Sequence, residues 1–199
     1  MMQLTIEHAR MVLIALFIAF LVAIVLIAVF LRKKNWMNSL IYFFSLLYSV
    51  PSYAFFALLI PITGLGETTA IIVLAFYNEY VLLRTFITGI REVDPNYIKV
   101  ARGMGMTQEE IFTKVQLPLS MPAIFSGLQV ALASTMAIAT IASTISAGGL
   151  GDLMFEGLQT GRVVSILWGT ILTVALTLVC IVILKLIENL VISDGLEKS

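Results

Sequence analysis

Apolar positions along this chain gather into long, nearly unbroken runs instead of alternating or recurring every third or fourth residue. A helix needs about 20 predominantly apolar residues to cross the hydrocarbon of a bilayer. The cleanest run is Met11 to Leu31, closed by Arg32-Lys33-Lys34. Its positive cluster follows the run and no small-residue cleavage site appears, so it reads as a retained helix and not a signal peptide. Leu40 to Ile60, with Pro51 inside, is the second candidate, and Thr68 to Thr88, interrupted by Asn78 and Glu79, is the third. Pro122 to about Ile145 and Val163 to Leu186 complete five predicted spans. The pattern predicts an all-α, polytopic membrane helix bundle, with one membrane domain filling residues 1–199 and no soluble domain, internal repeat or low-complexity tract.

Composition sharpens this. Of 199 residues 60% are apolar and 12% charged, against about a quarter charged in a soluble domain. Net charge is zero, but the distribution of charge is informative. With the N-terminus outside and five alternating helices, the inner segments hold ten cations: Arg32, Lys33, Lys34, Arg84, Arg91, Lys99, Arg102, Lys114, Lys185 and Lys198. The outer segments keep only Arg10 and Arg162, so the positive-inside rule places the N-terminus outside and the C-terminus inside. The lone Cys180 excludes an intramolecular disulfide and a cysteine-based metal site. His8 precedes the first apolar run and is expected to be a solvated terminal residue.

The long inner loop, residues 89–121, has the punctuation of two short helices. Asp94-Pro95 reads as an N-cap followed by proline at the first helical position. Gly103 and Gly105 are expected to break the chain direction. Thr107 followed by Glu110 is a capping-box signature, and the helix it opens is expected to end near Leu117-Pro118. Such short helices need a surface to pack on, and Ile111, Phe112 and Val115 supply an apolar stripe. Two readings fit: a cytosolic docking element, or an interfacial loop lying on lipid headgroups.

The run Lys99-Val100-Ala101-Arg102-Gly103-Met104-Gly105, nine residues, then Val115-Gln116-Leu117-Pro118 resembles the EAA loop of ABC importer permeases. Gly105, Leu117 and Pro118 match in register, while Lys99 stands where that family usually has Glu and Val100 where it has Ala. The resemblance implies coupling helices that insert into a groove of a separate ATPase, whose closure on ATP rocks the membrane helices between two states. It implies that Ala101, Gly103, Met104, Gly105, Thr107, Glu110, Leu117 and Pro118 lie at or beside the contact. Val50-Pro51-Ser52, Ala57 to Gly66, Arg84, Thr88-Gly89-Ile90-Arg91, Gly103-Met104-Gly105-Met106 and Ile145 to Leu153 are similar to the osmoprotectant branch. Its members import glycine betaine, carnitine, choline or proline betaine. Methionine importer permeases share five helices and a related Gly-Gly-Leu-Gly-Asp stretch, and stand as the alternative. The implied partners are an ATPase carrying the ATP and magnesium, an extracytoplasmic solute-binding protein and a second permease copy, identical or not. The implied location is the bacterial cytoplasmic membrane; lipid surrounds the chain, and it binds neither a cofactor of its own nor nucleic acid.

Within the spans, Ala123, Gly127, Ala131, Thr135, Ala139, Ser143 and Ala147 recur every fourth residue. Small residues at this spacing admit a close neighbour, as a gating seam between subunits or as static packing. Glu79 is the most expensive intramembrane residue, expected to line the cytosolic part of the path or to make a structural polar contact, with Asn78 and Arg84 as nearby partners. Gln129, Ser126 and Ser134 offer polar groups near the midplane, and Tyr42, Tyr48, Tyr53 and Phe55 offer faces to a quaternary ammonium. Trp36 and Trp168 fit an interfacial belt. In the Gly-rich outer stretch, Asp152 is expected to cap a short gate helix on the face where a binding protein would dock. No Gly-Lys pair exists to build a P-loop, so the chain is no ATPase itself. An ion-coupled secondary transporter is the rival from another class, for which Glu79 is the single weak pointer.

Overall fold

The computed structural model describes residues 1–30 and 33–192. Arg32 and Lys198, and the side chain of Lys34, lie outside the described residues, so three of the ten cations counted above carry no structural statement. The described residues are helical with short connections and no strand. In chain order they form α1 (Met2–Phe30), α2 (Lys34–Tyr48), α3 (Ser52–Thr63), α4 (Glu67–Arg91), α5 (Pro95–Gly103), α6 (Gln108–Ile111), α7 (Leu117–Ile141), α8 (Leu150–Thr160) and α9 (Val163–Val191). A π-helical turn, Phe112–Gln116, joins α6 to α7, and a 3-10 turn, Ala142–Ile145, prolongs α7.

Four helical stretches are long and apolar enough to cross a membrane, and α2 with α3 makes a fifth if that bent pair is counted as one span. The second predicted span is therefore two helices meeting at 96°, not one run through Pro51. Proline disfavours helical geometry in the residue before it. Val50 accordingly leaves the helix, and the Tyr77 hydroxyl from α4 donates to its carbonyl.

The hub is α4. It buries residues on nearly every face, from Thr69 to Ile90, and packs most extensively on α7 and α1. The small-residue stripe of α7 lies against this helix. A Cβ on Gly127 would stand 2.2 Å from Thr85 Oγ1, and one on Gly89 would stand 2.5 Å from the Ala123 Cβ. In lipid, where apolar burial drives little, backbone approach of this kind is what holds helices together. The stripe is thus packing inside one chain, and the reading of it as a seam between subunits gives way. By contrast α9 buries only Gly169, Thr173 and Glu188, leaving residues such as Leu178, Val182 and Leu186 exposed.

Side-chain contacts sort the bundle into two ends. At the first, Arg10 of α1 pairs with Glu67 of α4, and His8 sits against the α7–α8 connection. At the second, Arg91 of α4 donates to Asn38 of α2 at 3.0 Å, and Ala28, Ile90, Leu117 and Val191 line one apolar cleft. His8 is not solvated: it is fully buried, with Nε2 donating to the Met136 carbonyl at 3.2 Å. The reason is that α1 begins at Met2, nine residues before the apolar run, and its first turns pack on the other helices.

Candidate functional site

Between α4 and α7, at the second end, the chain makes a helical hairpin. Asp94 caps α5 by accepting from the Asn96 N–H at 2.8 Å, with Pro95 behind it. The turn out of α5 is a Schellman motif. Met106 N–H donates to the Ala101 carbonyl at 3.2 Å, and Gly105 N–H donates to the Arg102 carbonyl at 3.0 Å. Gly105 stands at φ +83° with open space around it, so backbone conformation and not crowding demands glycine. Gly103 is an ordinary helical residue closing α5, and Gly105 alone turns the chain.

The capping box forms in full. Thr107 Oγ1 accepts from Glu110 N–H at 3.3 Å, and the Glu110 carboxylate accepts from Thr107 N–H at 3.0 Å. These bonds, the Thr107 N–H first, together with Lys114 Nζ at 3.0 Å, hold the exposed Glu110 carboxyl down to about 2.

The helix opened by Thr107 does not end at Leu117-Pro118. It continues through the π turn, where Leu117 N–H donates to the Phe112 carbonyl, and on into α7 without a break. Proline in a regular α-helix lacks one donor and collides with the carbonyl four residues back. The wider π turn loosens that ladder before Pro118, and the helix runs on past Pro122 within α7 as well. The consequence is mechanical: the second helix of the hairpin and the spanning helix α7 are one continuous helix, Gln108–Ile145, against which α5 packs.

The eight residues picked out in this loop all fall on the hairpin or its exit. Met104 is 71% exposed and Gly103, Gly105 and Thr107 are also exposed, while Ala101 is buried beneath the turn. Leu117 and Pro118 are half-buried, Leu117 turning into the apolar cleft with Phe20, Ile27 and Phe125. The anticipated apolar stripe is partly spent inside the chain, because Ile111 is buried and the α6 region packs on α5. What the hairpin leaves outward is Tyr97 and Val100 on α5 and Met104 at its C-terminal cap. Val100 and Tyr97 could have been found by asking which apolar residues of an amphipathic helix remain once its partner helix is covered.

The polar residues of the spans form separate pairs. Glu79 is 4% exposed at the middle of α4, not at its end, and neither carboxylate oxygen has a hydrogen-bond partner among the described residues. Its neighbour Asn78 accepts from Thr135 Oγ1 of α7 at 2.7 Å. Arg84 donates to the Tyr80 hydroxyl. Gln129 of α7 donates to Glu188 of α9 at 3.0 Å, and Lys185 stands 3.3 Å from the same oxygen. Glu188 was missed, although an i,i+3 charge pair inside an apolar run was its signal. Ser134 is half-buried, and Tyr53 is 62% exposed on α3. Tyr48 packs on Tyr77 and Tyr80, and Phe55 on Phe76 and Tyr77, so these aromatics form a cluster between α2, α3 and α4. Trp36 and Trp168 are both exposed.

At the first end, α8 is the expected short helix, but Gly149 and not Asp152 is its N-cap. Asp152 sits in the first turn, its carboxyl pushed up by burial and then by the Glu7 carboxylate. Gly149 has φ +86°, and a Cβ there would stand 3.0 Å from His8 Nδ1, which is why the glycine stretch lies where α1 arrives.

The chain is 34% identical over 194 residues to the choline transport system permease protein OpuBB of Bacillus subtilis, covering 98% of this chain and 89% of that one. It is 34% identical over 191 residues to the glycine betaine/carnitine/choline permease protein OpuCB of the same organism, covering 96% and 88%. To the carnitine transport permease protein OpuCB of Listeria monocytogenes it is 38% identical, covering 87% and 79%. Among solved structures, a chain of the MetNI methionine ABC transporter in its inward-facing native crystal form matches with a TM-score of 0.81 at 21% identity, over 96% of this chain and 95% of that one. That likeness concerns the fold. The family model for the inner membrane component of binding-protein-dependent transport systems matches residues 12–193, and the chain belongs to that family.

Proposed function

We propose that this chain is the membrane-spanning permease subunit of an ATP-driven importer for quaternary-amine osmoprotectants such as glycine betaine, carnitine and choline. Its relatives of nearly the same length are named for those solutes. It works with a separate ATPase that carries ATP and magnesium, an extracytoplasmic binding protein and a second permease copy, in the bacterial cytoplasmic membrane. It catalyses no reaction itself. Five spans, counting α2 and α3 as one, put the N-terminus outside and the second end in the cytosol. That orientation is supported by the exposed Lys33, Arg84, Arg91, Lys99, Arg102, Lys114 and Lys185 toward that end, against Arg10 and Arg162 toward the other.

The observation that carries the mechanism is the unbroken path from hairpin to α7. A hairpin seated in the ATPase moves when the ATPase dimer closes on ATP, and a rigid rod transmits that motion to the hub through the α4–α7 crossing. ATP thereby biases a two-state bundle through its partner. Ala101, Gly103, Met104, Gly105, Thr107, Glu110, Leu117 and Pro118 build the coupling element, with Tyr97, Val100 and Met104 as its contact face. Glu79, Gln129, Ser134 and Tyr53 are proposed to meet the path as the bundle rocks.

The test is uptake into proteoliposomes holding this chain, its co-purifying ATPase and its binding protein. Glycine betaine, carnitine, choline and methionine are offered, with ATP or with an imposed ion gradient. ATP-dependent uptake of a quaternary amine is expected. Methionine uptake alone would move the substrate, and uptake driven by the gradient without ATP would overturn the reading.

A further inference from the structure

Between α2 and α4, toward the second end, lies a cleft of about 340 Å³ whose walls include Asn38, Tyr42, Ser45, Tyr80, Arg84 and Arg91. Its size suits a small solute. Two guanidiniums face it, and among the described residues no carboxylate lines it. Arg84 and Arg91 are seven apart on α4, which places them on one face two turns from each other. Arg91 spends one N–H on Asn38 Oδ1 at 3.0 Å, and Arg84 spends one on the Tyr80 hydroxyl. A guanidinium has five N–H donors, so each retains donors for a further acceptor. The contacts made fix the orientation instead of neutralising the charge: the Arg84 guanidinium carbon lies 5.8 Å from the Tyr80 ring centroid. Aromatic faces stand beside the charges, with Tyr42 67% exposed in the wall and Tyr48 packed 4.9 Å from Tyr80.

We infer that this cleft is an exit subsite for a zwitterionic solute, in which Arg84 and Arg91 take its carboxylate while Tyr42 and Tyr80 face its trimethylammonium group. The inference rests on the transport reading and deepens it. Carboxylates suit paired arginine donors, and quaternary ammonium groups suit aromatic faces. Glycine betaine and carnitine carry both groups, whereas choline carries only the second. The subsite therefore distinguishes solutes that share one headgroup. A phospholipid phosphate offers the same oxyanion chemistry from the bilayer, and the test separates it.

The transporter, this chain with its ATPase but without binding protein, is placed in nanodiscs of phosphatidylethanolamine, with or without phosphatidylglycerol. Binding of glycine betaine and of choline is read by saturation-transfer NMR for the wild type, Arg84→Gln and Arg91→Gln, each first checked for an unchanged thermal melt. The betaine-to-choline affinity ratio is expected to fall roughly tenfold in each variant, as loss of a charge-assisted bond implies, in both lipid compositions. An equal fall for both solutes, no binding by the wild type, or a change confined to nanodiscs with phosphatidylglycerol would overturn the subsite. ATP-driven uptake by the wild type in proteoliposomes holding its ATPase and binding protein reports separately on the transport reading: its absence removes that reading, and its presence with an unaltered ratio in nanodiscs removes the subsite alone.

Discussion

Gly105 shows how one backbone angle shapes the hairpin between α5 and α6. At φ +83° with nothing near its Cβ position, Gly105→Ala pays the left-handed penalty, about 1–2 kcal/mol, without any clash. The expected outcome is an intact bundle with faster amide exchange across residues 101–107 and slowed uptake; wild-type exchange there would contradict it. Glu110 gives a pH reading. Its folded carboxyl is held at about 2, below its ordinary 4.5, so its bonds stabilise the hairpin fully above the ordinary value and fade as pH falls toward 2. The side-chain carbon resonance of Glu110 should titrate near 2, and Thr107→Ala should return it toward 4.5. Glu79 is the residue the sequence flagged by cost alone. Since it is buried with no partner among the described residues, Glu79→Leu should raise the melting temperature by the equivalent of about 1–3 kcal/mol while lowering uptake. A fall in melting temperature would mean that the carboxylate is satisfied after all. The charge inside a span was legible because it breaks the pattern. The burial of His8 was not, because only tertiary packing decides how far α1 extends beyond its apolar run.

Elements were legible where the deciding chemistry is local. The capping box at Thr107 and Glu110 and the Asp94-Pro95 start of α5 involve residues within one turn, and both form as read. The end of the second loop helix was misjudged because proline's penalty was applied to an α-helix, whereas a π turn at Phe112–Gln116 absorbs it. The reverse happened at Pro51, where no such turn intervenes and the span bends by 96°. The four-residue periodicity of small side chains announced a close helix contact without naming the neighbour. That neighbour is α4, so Gly127→Ala should destabilise the bundle by about 1–3 kcal/mol through the Thr85 side chain, and adding Thr85→Gly should restore most of the loss. Melting of the two single variants and the double variant measures this. Additive losses would place the contact elsewhere.

At the scale of the whole molecule, fold class and charge asymmetry were readable because the bilayer constrains every span in the same way. Which polar groups meet across the bundle was not, since Gln129 and Glu188, or Asn78 and Thr135, approach only when helices distant in sequence pack. The orientation is tested in a Cys180→Ser background carrying Met104→Cys or Leu158→Cys, both at exposed positions. An impermeant maleimide should label position 158 on intact cells and position 104 only in inverted vesicles stripped of the ATPase. The central claim, that the hairpin hands the ATPase stroke to α7, is met most directly by Val100→Asp combined with Met104→Asp. Both side chains are exposed, at 62% and 71%, so folding is spared. The measurement is ATP-driven betaine uptake together with retention of the ATPase on the purified permease. The account predicts a wild-type melting curve, loss of the ATPase and loss of uptake; wild-type uptake with the ATPase still bound would contradict it.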